Sequence, residues 1–316
     1  MGTPWKICGK LRSKALRGKE FPQKKVLSLV LCVAVMLSVM VMGAGAAFSD
    51  QDKIENTEAV DACSALNIIG GYEDGSYHPE RNIKRSEITK MICVALNGGE
   101  EPTLGTPATP TFSDVRNTPN AAWAEKYIES CVSQGIVSGV GGGRFSPNGN
   151  VTGTQLAKML LVSLGYNANT EEFVGNAWAT NVNVRASQKG LYEGLESMDT
   201  AAALTRDSAA QMVWNALNAY EVEYKTTIIT GEDGKLETIV TVQDKVVGDN
   251  DDKITLLEDK YDAKAITGTL TKVKQDNGKS TYNITIENAK YNGGTYNGGR
   301  SEEHTSELQS LAYLVC

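Results

Sequence analysis

The sequence predicts a mostly α-helical N-terminal domain of three docked helix-loop-helix units, followed by a β-rich segment, and three observations carry that reading. First, residues 67–96 (NIIGGYEDGSYHPERNIKRSEITKMICVAL) align without a gap on residues 135–164 (GIVSGVGGGRFSPNGNVTGTQLAKMLLVSL), 68 residues later. In that alignment Gly71, Gly75, Pro79, Lys90, Met91 and Leu96 meet Gly139, Gly143, Pro147, Lys158, Met159 and Leu164. Second, residues 189–217 (KGLYEGLESMDTAAALTRDSAAQMVWNAL) form a third, eroded copy, two residues shorter between its glycine and its second apolar run. Trp123 and Trp178 stand 12 residues ahead of Gly135 and Gly190, which ties the third copy to the second. Third, the chain turns rich in Thr and Val after Tyr220. A unit of this size is too small to be stable alone, so three units bury their apolar faces against one another over residues 48–220.

Within the second copy, Trp123, Tyr127, Ile128, Cys131 and Val132 recur at helical spacing and predict a first helix over Ala121–Gln134. Gly135 ends it, because the left-handed cap is cheap for glycine; Asn67, the next most tolerant residue, holds the place in the first copy. The loops GGYEDGSYHP and SGVGGGRFSP are built of turn formers, with Tyr77 and Phe145 placed to pack back on the helices and Pro79 and Pro147 stiffening the exit. Gly141, Gly142 and Gly143 lack the Lys and Ser/Thr of a phosphate-binding loop and open no helix. The second helix of this copy starts at Thr152, an N-cap that Gln155 completes into a capping box. In the third copy Thr205 is the cap, with Ala209, Met212, Val213, Ala216 and Leu217 as the apolar stripe. The first copy has Lys84 at the cap, a poor choice, ahead of Glu87, Ile88, Met91, Ile92, Ala95 and Leu96.

The ends of the chain are of a different kind. The first 25 residues carry eight Lys or Arg and one Glu, an apolar run follows from Val26 to Met42, and GAGAAFSD offers cleavage near Ala46 or Ala47. Residues 1–47 therefore read as a signal peptide with a long basic lead, leaving no stable membrane span after processing; a retained membrane helix is the competing reading, since the run approaches the roughly 20 residues needed to span. With a whole-chain charge of −7 and a lead of +7, the remainder carries −14, which argues against nucleic acid and anionic membranes as partners. Residues 300–310, RSEEHTSELQS, read as the translation of a sequencing-library adapter, so residues 300–316, with His304 and Cys316, are set aside. Cys8 and Cys32 fall in the lead, and Cys63, Cys93 and Cys131 are left, read as small buried hydrophobes without metal-ligand spacing, with a bridge from Cys63 or Cys93 as the alternative. No metal or cofactor is expected.

The FSD openings at 48–50 and 112–114, the GYEDGSYHP loop, and the helix starts IKRSE (83–87), VTGTQ (151–155) and LTRDS (204–208) together resemble the S-layer homology domain. The resemblance covers repeats at 48–111, 112–170 and, in degenerate form, 171–220. It implies a pseudo-three-fold bundle with the first helices at its centre and grooves between repeats that bind secondary cell-wall polysaccharide, often bearing pyruvate ketals. Arg85 and Arg206, just inside helix N-termini, are then the expected carboxylate clamps. Asp50 and Asp114 accept sugar hydroxyls or orient the arginines, or else only hold turns. Tyr72 and Tyr192 are sugar platforms or packing, and Val140 offers no equivalent. Gly153 replaces the arginine in the second copy, so its groove should bind weakly, differently or not at all, unless Arg144 reaches in from the loop.

Segments TTIITG, ETIVTVQDKVVG, AITGTLTKVKQ and STYNITIENAKY, with turn pairs Asp233-Gly234 and Asn277-Gly278, predict an incomplete β module over 221–299. No nucleophile elbow or metal motif stands out, and no catalytic residue is assigned. The function implied is non-covalent anchoring of an exported bacterial protein in the cell wall or S-layer, and no enzyme. Two alternatives stay open: a structural S-layer or adhesion subunit whose repeats pack protein against protein, self-association in an S-layer included, and a wall-associated glycan hydrolase whose catalytic module lies outside this chain.

Overall fold

The computed structural model describes residues 48–316 apart from 104, 106, 231–234, 249–250, 276–281, 292–293, 297–301, 304–311 and 316. The expected targeting segment 1–47, both turn pairs of the β segment, His304, Cys8, Cys32 and Cys316 lie outside the described residues, as does most of 300–316.

Helices come in three pairs: α1 (Thr57–Ala65) with α2 (Arg85–Leu96), α3 (Glu125–Ser133) with α4 (Gly153–Ser163), and α5 (Trp178–Gln188) with α6 (Arg206–Asn218). The first helix of each pair stops where the sequence says it should, at Asn67, Gly135 and Gly190 with φ of 59°, 72° and 71°. Thr152 and Gln155 close their capping box, and Thr205 Oγ1 accepts the Ser208 N–H at 3.1 Å. Lys84 supplies no acceptor for its helix, and Glu87 compensates by accepting the Lys84 N–H at 3.0 Å. Trp123 departs from expectation: a separate 3-10 turn, Ala122–Ala124, precedes α3 and leaves the indole 45% exposed instead of on the apolar face.

The pairs exchange partners in a ring. α1 packs on α6, α3 on α2, and α5 on α4, so each first helix leans on the second helix of another unit. The second helices α2, α4 and α6 meet one another at the centre, which corrects the family-based expectation that the first helices do so. Burial agrees with this arrangement: nine of the 13 residues of α6 are buried against two of 11 in α5. The centre includes Ile88 and Ile92 of α2, Leu156 and Leu160 of α4, and Met212 and Val213 of α6, all buried.

A closed triangle of main-chain bonds marks the pseudo-three-fold axis. The Ile83 N–H donates to Leu204 O (2.9 Å), Leu204 N–H to Val151 O (2.8 Å), and Val151 N–H to Ile83 O (3.3 Å). Each of these residues lies two positions before its second helix, and all three side chains are buried. Extended residues there satisfy one another across repeats, pairing the N–H and C=O of all three.

Beyond Tyr220 the chain does not leave the bundle at once. Val222 N–H bonds Leu164 O at 2.8 Å, Leu256 N–H bonds Ala219 O at 3.2 Å, and Tyr220 bridges to Thr255. The short helix α7 (Leu256–Tyr261) packs against α6 and α2 and buries Leu256 and Leu257. Leu256 lines a small apolar cavity with Ile92, Leu160, Val213 and Leu217, closing the C-terminal end of the three central helices. Strands β1 (Val222–Thr230) and β2 (Leu236–Asp244) form an antiparallel ribbon, and β3 (Val246–Val247) pairs with β4 (Asp252–Lys253). The remaining strands, β5 (Ala265–Gln275), β6 (Tyr282–Tyr291), β7 (Gly294–Thr295), β8 (Glu302–Glu303) and β9 (Ala312–Val315), make a separate sheet ordered β7-β6-β5-β9, with β8 on β6. Along one face of the ribbon Ile228, Val240 and Leu236 are 65%, 51% and 75% exposed.

Candidate functional site

The start of every second helix is covered by the loop of a neighbouring unit. Main-chain N–H groups of Arg85 and Ser86 donate to Gly149 O and Pro147 O, those of Arg206 and Asp207 to Arg81 O and Pro79 O, and that of Thr154 to Thr200 O. The first-turn N–H groups expected to receive an anion are thus already bonded, which moves the burden of anion binding to the side chains.

Both arginines sit at these junctions in matching surroundings. Arg85 Nε donates to Phe145 O (2.9 Å) and Nη2 to Ser138 O (2.9 Å), with Cζ 4.5 Å from the Phe145 ring centroid. Arg206 Nε donates to Tyr77 O (3.0 Å) and Nη2 to Gly70 O (3.3 Å), with Cζ 4.7 Å from the Tyr77 ring. Phe145 and Ser138 are the repeat equivalents of Tyr77 and Gly70. Both side chains are largely buried, and neither guanidinium has a carboxylate within ion-pair distance among the described residues. Burial pulls the Arg85 guanidinium below its ordinary value, with Asp114 opposing.

Asp50 and Asp114 hold these junctions from beneath. Asp50 accepts the N–H groups of Tyr77 (2.7 Å) and His78 (2.9 Å), one on each oxygen. Asp114 does the same for Phe145 and Ser146, both at 2.8 Å. His78 and Ser146 adopt φ of 55° and 59°, a left-handed turn that the paired amide bonds stabilise. Burial alone would raise the Asp50 carboxyl, but the two amide bonds outweigh it and hold it below the usual range. The carbonyls that receive Arg206 Nε and Arg85 Nε belong to the residues so clamped, so each aspartate orients an arginine through one residue of backbone. Phe48 and Phe112 of the same openings pack on Tyr77 and Phe145, at 5.2 and 5.4 Å between ring centroids.

Tyr72 is half-buried in a layered wall. Arg206 Cζ lies 4.8 Å and Arg81 Cζ 5.1 Å from its ring centroid, and the His78 ring lies 5.1 Å away. Arg81 Nη1 donates to its hydroxyl at 2.6 Å, and the hydroxyl donates to Glu87 at 3.3 Å. Burial raises the Tyr72 phenol. Arg81 went unread in the sequence; its signal was a second arginine between Pro79 and the helix start, where the second copy has Gly149. Tyr192 stands elsewhere, donating to Asn183 Oδ1 at 2.7 Å within its own unit, its phenol pushed up to about 12 by burial.

At Gly153 the third junction is closed. A Cβ there would lie 3.1 Å from Met198 Cε and 3.1 Å from Thr200 Cα, because the shortened third loop settles onto the helix start. Thr154 Oγ1, Asn183 and Thr200 O fill the space with neutral hydrogen bonds. Arg144 does not serve this junction: it precedes Phe145 on the loop that receives Arg85. The structure therefore brings Arg206, Tyr72 and, through Tyr77, Asp50 together at one junction and Arg85 with Asp114 at a second, and leaves Tyr192 beside the filled position. Cys63, Cys93 and Cys131 are free and buried, as small core residues would be.

A ring of three helix-loop-helix units, with a buried arginine at two of the unit junctions, defines a repeat-built domain. Residues 47–89 and 111–157 match the family model of the S-layer homology domain, and the chain carries that domain at both segments. The third unit lies outside both matches but occupies the same place in the ring. The chain is 27% identical over 217 residues to the middle cell wall protein of Brevibacillus brevis, covering 65% of this chain and 19% of that protein. It is 25% identical over 261 residues to the surface layer protein of Brevibacillus choshinensis, with 76% and 22% covered. A cellulosome-anchoring protein of Acetivibrio thermocellus is 33% identical over 90 residues, with 28% and 19% covered. The chain thus spans less than a quarter of the length of each of these relatives.

Proposed function

We propose that the repeat domain anchors the protein non-covalently by binding a carboxylated secondary cell-wall polysaccharide, such as a pyruvylated one, in the Arg206 and Arg85 clefts. The family and its relatives place the chain at the bacterial cell wall or S-layer surface. One observation supports the finer reading: two largely buried guanidiniums, equivalent by repeat, are fixed by carbonyls and rings with no carboxylate within ion-pair distance among the described residues. A desolvated cation held in this way is short of an anion, and a planar fork suits a carboxylate. Neighbouring Tyr72, half-buried beside Arg206, adds an aromatic ring to the same junction. This is binding without covalent chemistry, and the enzyme alternative is not needed to explain the clefts.

The test is co-sedimentation of the purified chain with wall sacculi. The chain should pellet with sacculi that retain their polysaccharide and stay in the supernatant with sacculi stripped of it by hydrofluoric acid. Changing Arg85 and Arg206 together to Ala should weaken binding at least tenfold. The corresponding Lys pair, which keeps charge but loses the fork, should recover only part of it. Equal binding to stripped sacculi would favour protein-protein packing instead.

A further inference from the structure

We infer that His78 sets the strength of the Arg206 cleft and makes that cleft, but not the Arg85 cleft, bind a carboxylated glycan more tightly in mild acid. The inference rests on the polysaccharide reading above and adds to it an inequality between the two clefts.

The His78 ring is not a loose surface group. Its backbone is fixed in the left-handed turn by Asp50, and its imidazole Nε2 lies 2.8 Å from Ser76 Oγ and 3.4 Å from Asp74 Oδ2. The ring shares Tyr72 with Arg206 and Arg81, each contact being about 5 Å from the same centroid. The charged groups around it are therefore Asp74 on its own loop, Asp50 from the segment ahead of α1, Arg81 on the loop exit, Glu87 on α2 through the Tyr72 hydroxyl, and Arg206 on α6. Hydrogen bonds from Ser76 hold the Asp74 carboxyl below its ordinary value, and the amide bonds do the same for Asp50 against its burial. Among the side-chain types gathered here, imidazole is the one that generally changes charge across mildly acidic to neutral pH.

Repeat equivalence supplies an internal control. Where the Arg206 cleft has Tyr72, His78, Arg81 and Glu87, the Arg85 cleft has Val140, Ser146, Gly149 and Gln155. Its arginine and clamping aspartate remain, but nothing in those four positions titrates. One added positive charge across a partly solvated cleft changes affinity for a carboxylate by roughly three- to tenfold.

The experiment is titration calorimetry of the full chain with a methyl hexoside bearing a 4,6-pyruvate ketal, whose carboxyl stays ionised over this range, at pH 5.5 and pH 8.0. Arg85→Ala isolates the Arg206 cleft and Arg206→Ala isolates the other. The Arg85→Ala chain should bind roughly three- to tenfold tighter at pH 5.5, and the Arg206→Ala chain equally at both. Adding His78→Asn, neutral and tolerant of positive φ, to Arg85→Ala should remove the acid gain, so that the affinities of this double variant at pH 5.5 and pH 8.0 agree within about twofold. The inference is overturned if Arg85→Ala binds alike at both pH values, or if the gain survives His78→Asn. Should the unmodified chain bind the probe at neither pH, the polysaccharide reading itself falls and takes this one with it.

Discussion

Asp50 and Asp114 commit both carboxylate oxygens to main-chain amides, so their first effect is on the loop and only through it on the arginines. Replacing either by Ala removes two charge-assisted bonds and leaves a left-handed residue unsupported, and we expect a loss of about 2–3 kcal/mol in urea denaturation. Asp50 also fixes the sign of a pH effect. Its folded value is depressed, so its stabilisation is fully present above the unfolded value near 3.8 and is lost as pH falls through the folded one. Unfolding of Asp50→Asn should accordingly be less sensitive to acid than that of the unmodified chain. The FSD signature was legible because it repeats, and the arginines because they open helices. What the aspartates bind was not legible, since the partners lie 27 to 32 residues away on a loop whose return path no local pattern encodes. Arg81 was lost for a similar reason: its meaning comes from Tyr72, nine residues back, and from a helix of another unit.

Loops and helices lock together through close approach. Gly71 and Gly139 face the rings of Phe48 and Phe112, where a Cβ would stand 2.9 and 2.7 Å from a ring carbon. At Gly139 the Arg144 carbonyl is also 2.7 Å away, against 3.2 Å for Ser76 O at Gly71. Backbone yields less readily than a ring, so Gly139→Ala should cost about 2–3 kcal/mol and Gly71→Ala about 1–2 kcal/mol, read from thermal or urea unfolding. The second helices were readable from period and caps, yet their central position was not, since each unit alone offers two apolar faces and only the ring decides which faces inward. The domain end was also hidden. A Thr- and Val-rich composition pointed to strands after Tyr220, and six residues, LLEDKY, are too few to show a helical period. The capping box of Thr255 and Glu258 was the available sign. Because Leu256 closes the end of the central helices, Leu256→Ala should destabilise the bundle by about 2–4 kcal/mol, and a chain stopped after Tyr220 should melt lower than one continued to Ala263.

For the molecule as a whole, three units close a ring by equivalent contacts, yet only two of the three junctions keep an arginine. The axis bonds of Ile83, Val151 and Leu204 are alike in all units, so the symmetry of the scaffold survives while that of the clefts does not. The difference follows from loop length: a third loop two residues shorter draws Met198 and Thr200 onto Gly153 and takes the volume an arginine would need. Restoring the family residue by Gly153→Arg therefore should not create a third site. A Cβ 3.1 Å from Met198 Cε and Thr200 Cα forces the loop to shift, and a long cationic side chain beyond it meets the neutral network of Thr154, Asn183 and Thr200. We expect this variant to unfold at lower denaturant, by about 1–3 kcal/mol, while calorimetry still counts no more than two pyruvylated sugars per chain. Lengthening the loop by two residues between Gly190 and Asp199 in the same variant should relieve the strain. A third site appearing only in that double change would show that loop length, and not the arginine alone, decides how many clefts the ring keeps open.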